Sequence, residues 1–215
     1  MIQITQPGLL HLGVLASGRG SNFDAICAAI DRGDLQAQVE VLISDIAGAA
    51  ALEKASKRGI PTRFIDPKDY SDRENYESEI LTVLRQHGVE VVALAGYMRL
   101  VGQVFLQNYR WRILNIHPAL LPSFTGLHAQ KQAVDYGVSF SGCTVHMVDE
   151  GMDTGPIIKQ AVVPVYQDDN EDSLATRILE QEHQIYWQSL QLFAQGRVCL
   201  DGRRVIIQED REEMA

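Results

Sequence analysis

The stretch HLGVLASGRGSNFDAICAAIDR, residues 11–32, decides the fold, because an apolar run ends in a glycine-rich turn that opens directly into a helix. It predicts a strand at His11–Ala16 and a helix at Asn22–Arg32. Similar signals alternate up to the middle of the chain. They predict strands at Val39–Ile43, Thr62–Ile65, Val91–Leu94 and Ile113–Ile116 and helices at Gly48–Arg58 and Ser71–His87. Short, nearly all-apolar strands that alternate with helices are typical of an α/β fold with a doubly wound, mostly parallel sheet.

The second half of the chain predicts a different arrangement, in which antiparallel strands precede a long helix. The predicted elements are antiparallel strands at Cys143–Val148 and Pro156–Val165, a helix from Asn170 or Ser173 to about Gln195, and a hairpin at Val198–Ile207. Gly196 is a typical helix end, and Asp201-Gly202 is a typical hairpin turn.

The composition is that of a soluble globular protein, with 46% hydrophobic and 22% charged residues. The net charge of −9 argues against nucleic acid and anionic membranes as partners. No apolar run approaches the roughly 20 residues that span a bilayer, and residues 1–10 lack the features of a signal peptide. Three scattered cysteines fit a reducing compartment, so we expect a cytoplasmic protein.

The turn after the first strand, residues 17–22, is either a structural βα turn or an anion site. Gly20 allows a close backbone approach, while Ser21 and Asn22 add side-chain donors at the start of a helix. The third glycine of a dinucleotide fingerprint would fall at Phe23, and no Walker Lys-Ser/Thr pair follows. The cluster of Gly, Ser, Asn and Arg favours a monophosphate site.

Asn115 and His117 are predicted at the carboxyl end of a strand, where open α/β sheets bind ligands. At positions i and i+2 of a strand they point to the same side. A capping Asn and a core His are the alternative interpretation. Asn115 could donate to a developing oxyanion, and His117 could exchange a proton or, if protonated, add charge stabilisation. Asp153, in a later loop, is either a turn aspartate or the group that orients His117 or takes a proton through water.

The remaining histidines carry weaker signals. His146 lies within a strand pattern, which favours a core histidine over a catalytic one. His128 follows the Asn115 segment and is a candidate substrate contact. No group of His, Cys and Asp residues has metal-ligand spacing, so no metal is expected.

Five motifs make the chain similar to the folate-dependent phosphoribosylglycinamide formyltransferase family of purine biosynthesis. The similarity runs from Gly13 to about Val205. The motifs are LASGRGSN (15–22), LAGYMR (94–99), NIHPALLPSF (115–124), GCTVH (142–146) with DTGP (153–156), and QEH (181–183).

This resemblance implies that 10-formyltetrahydrofolate donates its formyl group to the glycinamide amine of 5'-phosphoribosylglycinamide, through a tetrahedral adduct. It also implies a Rossmann-like formyltransferase fold and a cis Leu121-Pro122 bond. The resemblance places the family's catalytic residues on Asn115, His117 and Asp153. It places the phosphate loop on Gly20, Ser21 and Asn22, and a further substrate contact on Glu182. The residues implied on the folate side are Arg73, Met98, Arg99, Leu100, Val101, Asp149 and Gly151. His146 would support the catalytic group.

The resemblance also sets the expected organisation. We expect one domain over residues 1–207, with a phosphate-binding half (1–110) and a catalytic and folate-binding half (111–207), followed by a disordered acidic tail (208–215). The expected partners are the two small-molecule substrates, without nucleic acid, membrane or metal. The protein would be a monomer or a homodimer.

Four alternatives compete with this interpretation. A 10-formyltetrahydrofolate hydrolase shares the Asn, His and Asp but carries a regulatory domain, for which we expect no room ahead of His11. Methionyl-tRNA formyltransferase needs a tRNA-binding domain and a basic surface, which the acidic end does not provide. A non-catalytic binding protein is disfavoured by the intact Asn, His and Asp. A nicotinamide dehydrogenase is disfavoured by the broken glycine pattern.

Overall fold

The computed structural model describes residues 1–209, and two sheets with six α-helices are found among them. The strands are β1 (Ile2–Gln3), β2 (Leu10–Leu15), β3 (Ala37–Ser44), β4 (Thr62–Phe64), β5 (Val91–Leu94), β6 (Ile113–His117), β7 (Phe140–Met147), β8 (Ile157–Pro164), β9 (Val198–Asp201) and β10 (Arg204–Ile207). The helices are α1 (Ser21–Arg32), α2 (Ala50–Lys57), α3 (Arg73–Gln86), α4 (Gln103–Asn108), α5 (Ala129–Tyr136) and α6 (Glu171–Ala194).

Seven strands form the central sheet in the order β4-β3-β2-β5-β6-β7-β8. The strands from β4 to β6 pair in parallel, whereas β7 and β8 are antiparallel to their neighbours. The predicted α/β fold with a mostly parallel sheet is therefore confirmed. The strand order reverses between β2 and β5, and a crevice outside the carboxyl ends of the strands is expected at such a point.

Apolar side chains cover the central sheet on both faces. On one face, Leu12 and Val14 of β2 pack into a cluster with side chains of α1 and α6. On the other face, Leu15 packs into a second cluster with side chains of α3 and α4. Gly13 lets α3 come close, because a Cβ there would lie 2.6 Å from Cδ2 of Leu84.

The long helix α6 is also confirmed, and its ends have identifiable causes. Asn170 is the N-cap, and its side chain accepts from the backbone N–H of Ser173 in a capping box. In the middle of the helix, the hydroxyl of the buried Tyr186 lies 3.0 Å from the backbone carbonyls of Leu94 and of Leu114. The helix is thereby fixed against β5 and β6, the two strands that lead into the candidate site.

All predicted strands and helices are present, with ends that differ by at most three residues. Three of these strands and α-helices were not predicted: α4, α5, and the strand β1, which pairs with β9 in a three-stranded sheet with β10. The sequence of α5, AQKQAVDY, has too few apolar positions to show a helical period. Residues 210–215 of the predicted disordered tail lie outside the described part of the chain.

None of the helices within residues 1–209 combines the length and apolar composition that crossing a membrane requires.

We predict that Gly142→Ala destabilises the pairing of β7 with β8. A Cβ at this position would lie 1.9 Å from the carbonyl oxygen of Ala161, a backbone atom that cannot move without shifting β8. Overpacking of this kind typically costs about 1–3 kcal/mol. The measurement is urea unfolding, with Gly48→Ala as control because a Cβ there meets no atom within 4 Å. Equal midpoints for the two variants would contradict the prediction.

Candidate active site

The antiparallel pairing of β6 with β7 brings the predicted catalytic residues together. In register, Asn115 lies opposite His146, and His117 lies opposite Thr144. Leu114 and Ile116 point into the cluster covered by α1 and α6, so Asn115 and His117 point to the opposite face. The site therefore lies at the carboxyl end of a central strand.

His146 holds the side-chain amide of Asn115. Its Nδ1 lies 2.9 Å from the carbonyl oxygen of Met147, which can only accept, so Nδ1 carries the hydrogen. Nε2 is then the acceptor for Nδ2 of Asn115 at 3.2 Å. Burial lowers the pKa of His146, which favours this neutral form. His146 is a buried histidine, as the strand pattern favoured, and it also orients the candidate oxyanion donor.

His117 is fixed by a backbone carbonyl on one side and faces a carboxylate on the other. The ring is almost fully buried, and Nε2 donates to the carbonyl oxygen of Phe124 at 2.8 Å. Nδ1 lies 3.4 Å from Oδ2 of Asp153. Because the carbonyl already requires a hydrogen on Nε2, the contact between Nδ1 and the carboxylate is favourable when a second proton lies between them. The geometry therefore allows a proton to be shared between His117 and Asp153.

Asp153 has a left-handed backbone and three polar neighbours. Its φ of 55° lies in a region that few non-glycine residues adopt, aspartate being among those that tolerate it best. Oδ2 accepts from the backbone N–H of Gly126 at 2.8 Å, and Oδ1 lies 3.7 Å from Nε2 of His146. The carboxylate is therefore placed between the two imidazoles.

The loop that carries Asp153 is held by its own polar groups. The carboxylate of Asp149 accepts from the N–H of Gly151 at 3.1 Å and from Oγ1 of Thr154 at 2.6 Å. Gly151 allows this tight turn, because a Cβ there would lie 2.0 Å from Oγ1 of Thr154. Outside the loop, Arg203 in the terminal hairpin donates to the carbonyl of Thr154. The Asp149 carboxylate, expected on the folate side, shapes the loop from within.

The glycine-rich turn stands at the start of α1. Gly20 is the N-cap with φ of 71°, and a Cβ there would lie 2.9 Å from Cβ of Ala51. Ser21 opens the helix and is half-buried. Nδ2 of Asn22 donates to Oε2 of Glu182 at 2.8 Å, whereas the buried Oδ1 of Asn22 has no hydrogen-bond partner within the described residues. The turn and Glu182, predicted as separate parts of one substrate site, are in direct contact.

Burial of Glu182 has an electrostatic cost. The side chain is almost fully buried on α6, and burial raises the pKa of its carboxyl, while the hydrogen bond from Asn22 acts in the opposite direction. A carboxylate without a cationic partner in such a position is normally unfavourable.

The residues expected on the folate side form a second group. Arg73 donates to the carboxylate of Glu77 at 3.0 Å and to the backbone carbonyl of Leu100. Met98 and Leu100 are exposed, with 64% and 60% of their surface accessible, and the Arg99 guanidinium lies over the ring of Tyr76. Val101 and Val148 both pack against the apolar cluster covered by α3 and α4, which links this segment to the strand end before Asp149.

Some residues of the site gave no signal in the sequence. The Phe124 carbonyl and the Gly126 N–H act through the backbone, and their positions depend on a loop with the cis Leu121-Pro122 bond that the resemblance implied. His128 does not reach the cluster, since its exposed ring faces Glu171 at 3.3 Å. Among residues 1–209, no group of three or more His, Cys, Asp or Glu side chains is arranged to hold a metal ion.

Comparison with known proteins places this geometry in context. The family described as formyl transferase matches residues 10–190. The chain is 46% identical over 188 residues to the trifunctional purine biosynthetic protein adenosine-3 of Drosophila pseudoobscura pseudoobscura, a match that covers 86% of this chain but only 14% of that protein. It is 44% identical to the phosphoribosylglycinamide formyltransferase of Bacillus subtilis (strain 168), covering 80% of this chain and 89% of that protein.

A solved structure agrees with these matches. The crystal structure of glycinamide ribonucleotide transformylase 1 from Symbiobacterium toebii superposes with a TM-score of 0.92 at 46% identity. The superposition covers 94% of this chain and 95% of that one. The agreement therefore extends over nearly the whole chain.

We predict that Glu182→Gln stabilises the protein increasingly as the pH rises above 4.5, the ordinary pKa of this carboxyl. A carboxyl whose pKa is raised by folding contributes its full stability below the unfolded-state pKa, and this contribution is lost as the pH rises through the folded-state pKa. The glutamine removes that loss and can still accept from Asn22. Thermal unfolding between pH 4.5 and 8 measures the effect, with the exposed Glu180→Gln as control. A difference from wild type that does not grow with pH would contradict the prediction.

Proposed function

The chain belongs to the formyl transferase family, and we propose that it transfers the formyl group of 10-formyltetrahydrofolate to the glycinamide amine of 5'-phosphoribosylglycinamide in purine (IMP) biosynthesis. The observation that carries the proposal is the contact of Asn115, His117, His146 and Asp153 at the end of β6. The substrates and the activity follow the names of relatives such as the B. subtilis and S. toebii proteins.

Asn115 is the proposed oxyanion donor. Attack of the amine on the formyl carbon makes a tetrahedral adduct whose oxygen becomes anionic. The Asn115 amide has two N–H groups, and one is directed at His146, so the other is available for that oxygen. An oriented donor of this kind needs no reorganisation when the charge develops.

His117 and Asp153 are the proposed route for protons. The attacking amine has to lose a proton, and the expelled folate nitrogen has to gain one. The geometry of the pair suits both steps, because a protonated His117 would support the oxyanion and protonate the folate nitrogen, while the Asp153 carboxylate would accept from the amine through water or through His117. Asp153 remains in place because the N–H of Gly126 donates to it.

The acceptor is proposed to bind at the start of α1. Gly20, Ser21 and Asn22 offer backbone N–H groups at a helix N-terminus, which suit a phosphate without a net positive protein. Glu182, beside Asn22, would accept hydrogen bonds from sugar hydroxyls of the same substrate. Residues 1–110 thus carry the proposed phosphate loop and residues 111–207 the proposed catalytic residues of one cytoplasmic enzyme unit, with Glu182 reaching the acceptor from the second half.

The formyl donor is proposed to lie beside Arg73 and the segment Met98–Val101, whose exposed apolar side chains suit a planar ring system. The backbone of the loop Asp149–Asp153 would complete that side. Both substrates then meet at Asn115, where holding them in one cleft provides much of the acceleration.

The test of the proposal is release of tetrahydrofolate from 10-formyltetrahydrofolate, measured with and without phosphoribosylglycinamide. We expect release that requires the acceptor and yields an equal amount of formylated product, because the phosphate site recruits the amine. His117→Ala serves as control for contaminating activity. Release at the same rate without the acceptor would identify a hydrolase instead.

A second prediction separates catalysis from binding. We expect Asn115→Ala to lower kcat by about a hundred- to a thousandfold, as the loss of one oxyanion donor typically does, with little change in either KM. Ser21→Ala should instead raise the KM for the phosphorylated acceptor and leave kcat close to wild type. Turnover of Asn115→Ala within a few-fold of wild type would show the oxyanion role to be wrong.

A further inference from the structure

Phe124 combines a strained backbone with a contact to the candidate catalytic histidine. Its φ of 53° lies in the left-handed region, which a bulky residue seldom adopts. Its carbonyl oxygen accepts from Nε2 of His117 at 2.8 Å. Strained backbone of this kind persists where the surroundings over-determine it.

The ring of Phe124 provides that constraint. It is half-buried, packs against the apolar cluster below α6, and contacts the ring of Tyr136 edge to face, with 6.0 Å between centroids. The two rings also line an open cavity of about 390 Å³, which extends to Phe140. The cavity leaves the ring without contacts on that side, so what holds it is the apolar cluster and, at its edge, the exposed ring of Tyr136.

We infer that Phe124 is a positioning residue for His117: its anchored ring holds the backbone carbonyl that fixes the imidazole. The inference rests on the proposed catalytic role of His117. The carbonyl can only accept, so it keeps the hydrogen on Nε2 and leaves Nδ1 for Asp153. Two residues later, Gly126 with φ of 79° directs its N–H to Oδ2 of Asp153 at 2.8 Å. One anchored segment thus orients both members of the proton-carrying pair.

The variants separate the ring from the backbone. Phe124→Ala removes the ring that anchors the segment but keeps a β-carbon, and with it the backbone strain at this φ. Phe124→Gly removes both the ring and that strain. Phe124→Tyr keeps the ring and is the rescue variant. Tyr136→Ala weakens the anchor without a change in the loop itself. Phe140→Ala is the matched control, because Phe140 lines the same cavity from the start of β7.

Two measurements are made on each folded variant. The first is the imidazole N–H proton resonance of His117, assigned by its absence in His117→Ala, in protein without substrate. The second is kcat and both KM values. We expect Phe124→Ala and Phe124→Gly to lose the resonance and to lower kcat by about ten- to a hundredfold, with each KM nearly unchanged. Tyr136→Ala should show a smaller effect in the same direction, while Phe124→Tyr and Phe140→Ala should match wild type.

The outcomes distinguish this inference from the proposed function. Phe124→Ala and Tyr136→Ala that both keep the resonance and kcat would overturn the positioning role. An equal loss of the resonance and of kcat in Phe140→Ala would also overturn the positioning role, since a general effect of changing the cavity wall would then explain the data. If the resonance depends on Phe124 but the wild type transfers no formyl group, the positioning role stands and the proposed function fails.

Discussion

A backbone carbonyl accepts hydrogen bonds and cannot donate one, and this constraint sets the protons of both site histidines. The Met147 carbonyl holds a hydrogen on Nδ1 of His146, so its Nε2 accepts from Asn115. The Phe124 carbonyl holds a hydrogen on Nε2 of His117, so its Nδ1 faces Asp153. The nitrogen that donates to a backbone carbonyl is therefore Nδ1 in His146 and Nε2 in His117. His146 orients a neutral amide, and His117 forms a pair that can carry a proton.

The sheet topology brings the residues of the candidate site together. Parallel strands β2, β5 and β6 bring their carboxyl ends to one edge, where the turn at Gly20 and the end of β6 are found. The antiparallel strand β7 places His146 directly opposite Asn115, and the loop that follows β7 brings Asp153 to His117. The change from parallel to antiparallel pairing at β7 is thus the structural origin of the four-residue cluster.

The sequence predicted the side chains of the site better than its backbone contacts. Asn115 and His117 stand near a strand end, a position that periodicity reveals, and Asp153 was a candidate in a later loop; the three are found close together. The contacts of Phe124 and Gly126 depend on left-handed φ values in a loop, for which a phenylalanine gives no signal. Asp149 is still predicted on the folate side, and its carboxylate also accepts hydrogen bonds within its own loop, a pairing that only the folded turn reveals.

Glu182 shows how a site can oppose stability. The chain carries a net charge of −9, and burial raises the pKa of this carboxyl, so both the overall charge and the burial disfavour a carboxylate at this position, beside the proposed phosphate site. Asn22 separates the two functions, because its side chain donates to Glu182 while the helix start directs backbone N–H groups outward. Under the proposed function, the substrate offers an anion to those N–H groups and hydroxyl donors to the carboxylate. We propose that this buried carboxylate is retained for the hydrogen bonds that it would accept from the substrate.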